Sequence, residues 1–154
     1  MPAKKGYEEF KKKYNLPDLK NLIKEFEVKL DEPDLILHEI IAKIIERISD
    51  SAQKIEFAIF AGASGDPSSL YESKMLEDKD KTFELFKEMM STKWRGEEVK
   101  VSANEAEMAK FIKEAYGSWI KKLKPSFMDL CNLFEKEWKN ASLQNTESEM
   151  MYHG

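Results

Sequence analysis

One run near the middle of the chain, residues 34–61, constrains the fold more than any other part of the sequence. Apolar residues recur there at intervals of three and four positions, which is the spacing of one face of an α-helix. These positions are Leu37, Ile41, Ile44, Ile45, Ile48, Ala52, Ile55, Ala58 and Ile59. An unbroken helix of this length is about 42 Å long at ~1.5 Å per residue. Because so long an apolar face needs a partner surface along its whole length, we expect a central helix with other helices packed around it.

Shorter helical patterns precede and follow the central helix. Before it, the sequence predicts helices over residues 7–14 and 19–26, then a break at residues 29–33. After it, the glycines, serines and proline of residues 62–69 predict a loop, with Gly62 ending the central helix. Helical spacing of apolar residues resumes beyond that loop and continues to Met90.

The last third of the chain predicts two more helices. Gly96 and the polar run 97–101 indicate a connector, and Ser102 with Glu105 has the spacing of a capping box that starts a helix. Pro125 is expected to divide this helix from a final one. In the final helix Cys131 lies in the apolar stripe and is expected to be buried, like most unreactive cysteines.

The fold class follows from these patterns. No segment alternates apolar and polar residues with β-branched enrichment, and no repeat of 20–50 residues is present. We therefore predict an all-α fold: a single-domain bundle of five or six helices over residues 1–141, with a flexible tail at 142–154. Ile36 and Ile40 widen the apolar face of the central helix, which predicts a two-fold symmetric homodimer.

The composition of the chain indicates the class of protein to which it belongs. A hydrophobic content of 42% with 35% charged residues is typical of a soluble globular chain. Charged residues interrupt the central helix, the first 13 residues lack the apolar core of a secretory signal, and Cys131 is the single cysteine. These features predict a cytoplasmic protein that does not contact a membrane.

The net charge of −4 is unevenly distributed. Residues 1–30 carry eight lysines against five acidic residues, and residues 110–139 carry seven lysines against four. Residues 31–109 carry eighteen acidic residues against ten basic ones. Two interpretations are open: the basic segments pack beside acidic ones, or a basic end of the chain meets an anionic partner.

The sequence shows no recognisable catalytic, cofactor-binding or metal-ligating set. His38 and His153 are the only histidines, and neither has the helical spacing that turns two metal ligands inward. The glycine-containing loop after residue 61 lacks the lysine of a phosphate-binding loop. Spacing within one helix does not exclude a site formed between helices. If the chain is an enzyme or ligand binder, His38 and Glu39 are the candidates for such a site.

Two basic clusters are candidates for nucleic-acid contact. One is a tryptophan between two cations in the expected connector, and the other is a lysine face on the following helix, interleaved with Tyr116 and Trp119. Together they could neutralise phosphates and stack a base. The candidate residues are Lys93, Trp94, Arg95, Lys110, Lys113, Lys121, Lys122 and Lys124.

Three functional hypotheses follow. The leading one is a non-catalytic helical interaction subunit or adaptor whose partner is another protein. The second is a nucleic-acid-binding accessory protein that uses the lysine and aromatic face. The third is an enzyme or ligand binder with a site between helices near His38. No cofactor is predicted.

Overall fold

The computed structural model describes residues 2–63 and 79–140. Six α-helices lie in these ranges: α1 (Pro2–Tyr14), α2 (Leu19–Phe26), α3 (Ile36–Ala63), α4 (Lys79–Ser102), α5 (Glu105–Ser118) and α6 (Lys124–Asn140). No β-strand occurs in either range, so the predicted all-α class is confirmed. Helix α3 includes Gly62 and Ala63, the first two residues of the loop expected at 62–69. The rest of that loop and the tail expected at 142–154 lie outside the described residues.

Helix α3 is the centre of the bundle, as its apolar spacing predicts. It packs along α4 and α5 and also contacts α1 and α2. Ile41, Ile44 and Ile48 are completely buried. A 3-10 turn at Pro33–Leu35 leads into the helix, so helical geometry begins at the predicted proline and the α-helix itself begins at Ile36.

The wide apolar face of α3 is covered within one chain. Ile36 and Ile40 are both buried, and Gly6 of α1 lies against Ile36. A Cβ atom at Gly6 would lie 2.7 Å from Ile36 Cδ1, so the missing side chain lets α1 approach. This face is therefore no basis for the predicted homodimer, because both residues are already buried within one chain.

The predicted connector at residues 96–101 is wrong, because α4 continues through Gly96 to Ser102. Gly96 is buried where three helices meet, and a Cβ atom there would lie 2.8 Å from both Ile45 Cγ1 and Phe111 Cζ. Glycine is thus required by close packing of α4 on α3 and α5, although it disfavours a helix locally.

The capping box predicted at Ser102 is also wrong. Asn104 is the N-cap of α5, and its side chain accepts the backbone N–H of Glu107 at 3.0 Å. Ser102 ends the preceding helix instead, and its hydroxyl donates to the carbonyl of Val99 at 3.1 Å. Ala103 between them has a left-handed φ of 54°, which turns the chain from α4 into α5.

Pro125 does not divide the last two helices as predicted. A π-helical turn at Trp119–Leu123 joins α5 to α6, and the N–H of Lys124 donates to the carbonyl of Trp119, five residues earlier. A proline in an ordinary α-helix would lack one hydrogen bond and clash with the carbonyl four residues before it. The wider turn accommodates Pro125, so the helical backbone continues to Asn140.

Helix α6 is the least buried helix of the described chain. None of its residues is buried, and Cys131 is exposed, so the prediction of a buried cysteine is wrong. Its most extensive contacts are with the π turn that precedes it. The apolar stripe of α6 therefore packs only in part, through Phe127, Leu130 and Phe134.

The described helices do not meet the requirements of a membrane span. A span needs about 20 consecutive, mostly apolar residues. None of the helices in residues 2–63 and 79–140 is long and apolar enough to meet that requirement.

Candidate functional site

The tryptophan cluster predicted in a connector lies on the surface of helix α4. Trp94 points away from the core and is 60% exposed, with the Lys93 ammonium 5.1 Å from the centre of its ring. Arg95 lies on a different side of the helix, where it pairs with Glu114 of α5 at 3.3 Å and covers the ring of Phe111. The three consecutive residues therefore do not share one face.

The lysines predicted to extend this cluster are divided between two environments. Lys122 pairs with Glu88 at 2.7 Å, and Lys124 pairs with Glu25 at the same distance. Three exposed lysines form no ion pair within residues 2–63 and 79–140: Lys110, Lys113 and Lys121. Three of the seven candidate cations are thus neutralised by carboxylates of the same chain.

Glu25 forms a clasp between α2 and the π turn. Its side chain is only 9% exposed and accepts hydrogen bonds from the Trp119 Nε1–H at 2.9 Å and from Lys124 Nζ at 2.7 Å. Burial alone would raise the pKa of Glu25, but the hydrogen bonds from Lys124 and Trp119 outweigh it and lower the pKa below its usual value. Trp119 is buried by this arrangement, so its ring is not free to stack on a base. The sequence does not indicate this contact, because Glu25 lies 94 positions from Trp119 and 99 positions from Lys124.

The clasp predicts a specific pH dependence. Because the folded-state pKa of Glu25 is lowered, its contribution to stability is present above the unfolded-state pKa, near 4.3, and is lost as pH falls through the lower folded-state pKa. We expect Glu25→Gln to reduce the free energy of unfolding by about 1–2 kcal/mol at pH 7 and by less at pH 3. Urea denaturation at the two pH values measures the difference.

The control for this prediction is Glu135→Gln, which removes an exposed carboxylate that pairs with Lys139 at 3.1 Å. Exposed pairs contribute little, so this change should alter the free energy of unfolding by less than about 0.5 kcal/mol at either pH. If the two substitutions lowered the free energy of unfolding equally at pH 7, the stabilising role of Glu25 would be contradicted.

At the candidate site near His38 and Glu39, the Glu39 side chain has a structural role. The Glu39 carboxylate accepts the backbone N–H groups of Asp31 and Glu32, both at 3.1 Å. It therefore fixes the segment that leads into the 3-10 turn. His38 itself is half-buried. In the described part of the chain, no group of three or more histidine, cysteine or acidic side chains could hold a metal ion.

A cavity of about 600 Å³ lies between α4 and α6. Leu85, Leu130 and Leu133 give it apolar walls, and three lysines and three carboxylates surround them. Its described lining includes neither histidine nor cysteine.

Helix α4 has a second apolar face, which we call its outer face. It consists of Phe83, Met90, Trp94 and Val101, at successive intervals of seven, four and seven residues. Phe83 is 43% exposed and Val101 85%, while Met90 is half-buried. The face extends about 27 Å along the helix. The opposite side of α4 carries the buried residues Thr82, Leu85, Met89, Thr92 and Gly96.

The outer face lies on an electrically balanced part of the molecule. Helix α3 carries four acidic and three basic residues, and α4 carries five acidic and six basic ones. The excess acid of residues 31–109 therefore lies outside these two helices. Basic and acidic segments do pair elsewhere, since Lys13 pairs with Glu105 at 2.8 Å and Lys122 with Glu88 at 2.7 Å. Trp94 therefore lies on a helix whose charges are almost balanced.

Comparison of the chain with protein-family models, curated proteins and solved structures finds no match. Among the surfaces of the described residues, the outer face of α4 combines exposure, apolar character and helical periodicity. Sequence reasoning alone misses it, because Gly96 indicates a break between Trp94 and Val101.

Proposed function

We propose that this chain is a non-catalytic interaction subunit that binds a protein surface through the outer face of α4. The observation that supports the proposal is the exposed apolar stripe of that helix. Burying a large apolar side chain contributes ~1.5–3 kcal/mol, so covering such a stripe favours association. Tryptophan is also among the residues that most often dominate the energy of protein interfaces.

The regular spacing distinguishes this stripe from ordinary surface residues. Single exposed apolar side chains are common in soluble proteins and need no explanation. Intervals of seven, four and seven residues instead place four apolar side chains along one seam of a helix. That spacing is typical of a helix that packs against a second helix outside its own bundle.

The charges around the stripe favour a protein partner over a nucleic acid. The remaining positions of the seam hold one cation and one anion, Lys87 and Glu97. Arg95 is paired with Glu114, and the ammonium of Lys93 lies over the Trp94 ring. Nucleic-acid binding depends on several cations that neutralise phosphates together, which this face does not offer.

Photocrosslinking in living cells tests the proposal. A benzophenone amino acid replaces Trp94 in one variant and the exposed Lys113 of α5 in a control variant. We expect protein adducts from position 94 that are absent from position 113, because the first position lies within the interface. Nuclease-sensitive adducts at position 94, or no adduct at that position, would contradict the proposed function.

A further inference from the structure

The outer face of α4 has a symmetric pattern that identifies its partner. We infer that a second copy of this chain covers it, with the two α4 helices packed antiparallel about a two-fold axis at the level of Thr92. This inference rests on the proposed function and adds the identity of the partner. In a two-fold interface each contact occurs twice, so residues equally distant from the axis along the helix must suit one another.

The apolar positions satisfy this requirement. Phe83 and Val101 are each nine residues from Thr92, and Met90 and Trp94 are each two residues from it. An antiparallel pair therefore sets Phe83 against Val101 of the second copy and Met90 against Trp94 of the second copy. All four exposed or half-buried apolar side chains of the stripe are covered, without any contribution from another element.

The charged positions satisfy it as well and determine the direction of the pair. Lys87 and Glu97 are each five residues from Thr92 and occupy the same seam. In the antiparallel arrangement Lys87 faces Glu97 of the second copy, and this pair forms twice. A parallel arrangement would set lysine against lysine and glutamate against glutamate, which is repulsive.

The contacts within one chain allow Lys87 to leave its ion-pair partner and pair with Glu97 of the second copy. Lys87 pairs with Glu84 at 3.3 Å, and both side chains are more than half exposed. Exposed pairs of this kind contribute little to stability, so Lys87 can turn to a new partner at small cost. Ser91, exposed beside the level of the axis, adds no bulky side chain next to the seam.

Sedimentation velocity on the full chain tests the inference. We expect the wild-type protein at micromolar concentration to sediment as a dimer, at twice the 17.9 kDa of one chain. Trp94→Lys should weaken association at least about 30-fold, as expected for a central tryptophan. The control Met128→Lys replaces an exposed apolar residue of α6 and should leave the dimer unchanged.

A charge exchange tests the register of the two helices. Lys87→Glu and Glu97→Lys should each give monomers, because each variant sets like charges against each other twice. An equimolar mixture of the two variants should recover the dimer, because both facing pairs are then of opposite charge. Circular dichroism of each variant checks that it is folded, and the mixture requires no further substitution.

The outcomes separate this inference from the proposed function. A wild-type monomer at tens of micromolar, a dimer that tolerates Trp94→Lys, or a mixture that stays monomeric would each overturn the two-fold pairing. If position 94 still crosslinks to a different protein in cells, the proposed function stands and only the identity of the partner is wrong.

Discussion

Replacing Ile48 by alanine is expected to lower the free energy of unfolding by ~2–5 kcal/mol. Ile48 is completely buried at the middle of α3, the helix around which the bundle is built. Its truncation removes apolar contacts and leaves a cavity that close-packed neighbours fill only in part. Urea denaturation followed by circular dichroism measures the loss.

The matched control for this prediction is the same substitution at an exposed site. Ile23 of α2 is 43% exposed, so Ile23→Ala should cost less than about 1 kcal/mol. Comparable losses at the two positions, or a nearly neutral Ile48→Ala, would contradict the central role of α3.

Alanine substitutions at two helical glycines are expected to have opposite effects. Gly96→Ala should destabilise the protein by ~1–3 kcal/mol, because its new methyl group would lie 2.8 Å from Ile45 Cγ1 and Phe111 Cζ. Gly117→Ala should stabilise it by ~0.5–1 kcal/mol, because no atom outside its own helix lies within 4 Å of the new methyl group and alanine favours the helix. Thermal and urea denaturation of both variants measure the difference.

The glycine pair also tests whether α4 is continuous. If Gly96 were in a flexible connector, its substitution would have little effect, since no close packing would be disturbed. A neutral or stabilising Gly96→Ala would therefore contradict the packing of α4 between α3 and α5. A destabilising Gly117→Ala would instead indicate that α5 has an additional neighbour at that point.

The elements that could be predicted from the sequence are those whose own residues determine their structure. Residues 36–59 repeat apolar side chains with helical spacing, so α3 and its burial follow from local chemistry alone. Pro33 marks the end of the break after α2 in the same local way, through its fixed φ angle.

The misinterpreted elements depend on residues far along the chain. Gly96 indicates a break locally, but Ile45 and Phe111 pack against it so closely that only glycine fits. Pro125 also indicates a break locally, yet a π turn accommodates it. Cys131 lies in an apolar pattern and is nevertheless exposed, since no described helix covers α6 on that side.

The candidate site was within reach of the sequence, but only through a correct helix assignment. Phe83, Met90 and Trp94 could be placed on one seam from their spacing. Val101 joins them only when α4 is known to continue past Gly96. That continuity depends on the tertiary packing of α4 against two other helices, which spacing within α4 does not report.

The central claim, that α4 pairs with α4 of a second copy in antiparallel register, is tested most directly by two spin-label distances. Cysteines replace Ser91 or Ser102 in a Cys131→Ser background, because Cys131 is exposed and would also react. Pulsed electron paramagnetic resonance should give a distance below about 20 Å between labels at position 91, beside the axis. Labels at position 102 should be about 30 Å apart along the helix axes, since each lies ten residues from the axis. Absence of dipolar coupling at both positions, or short distances at both, would contradict the claim.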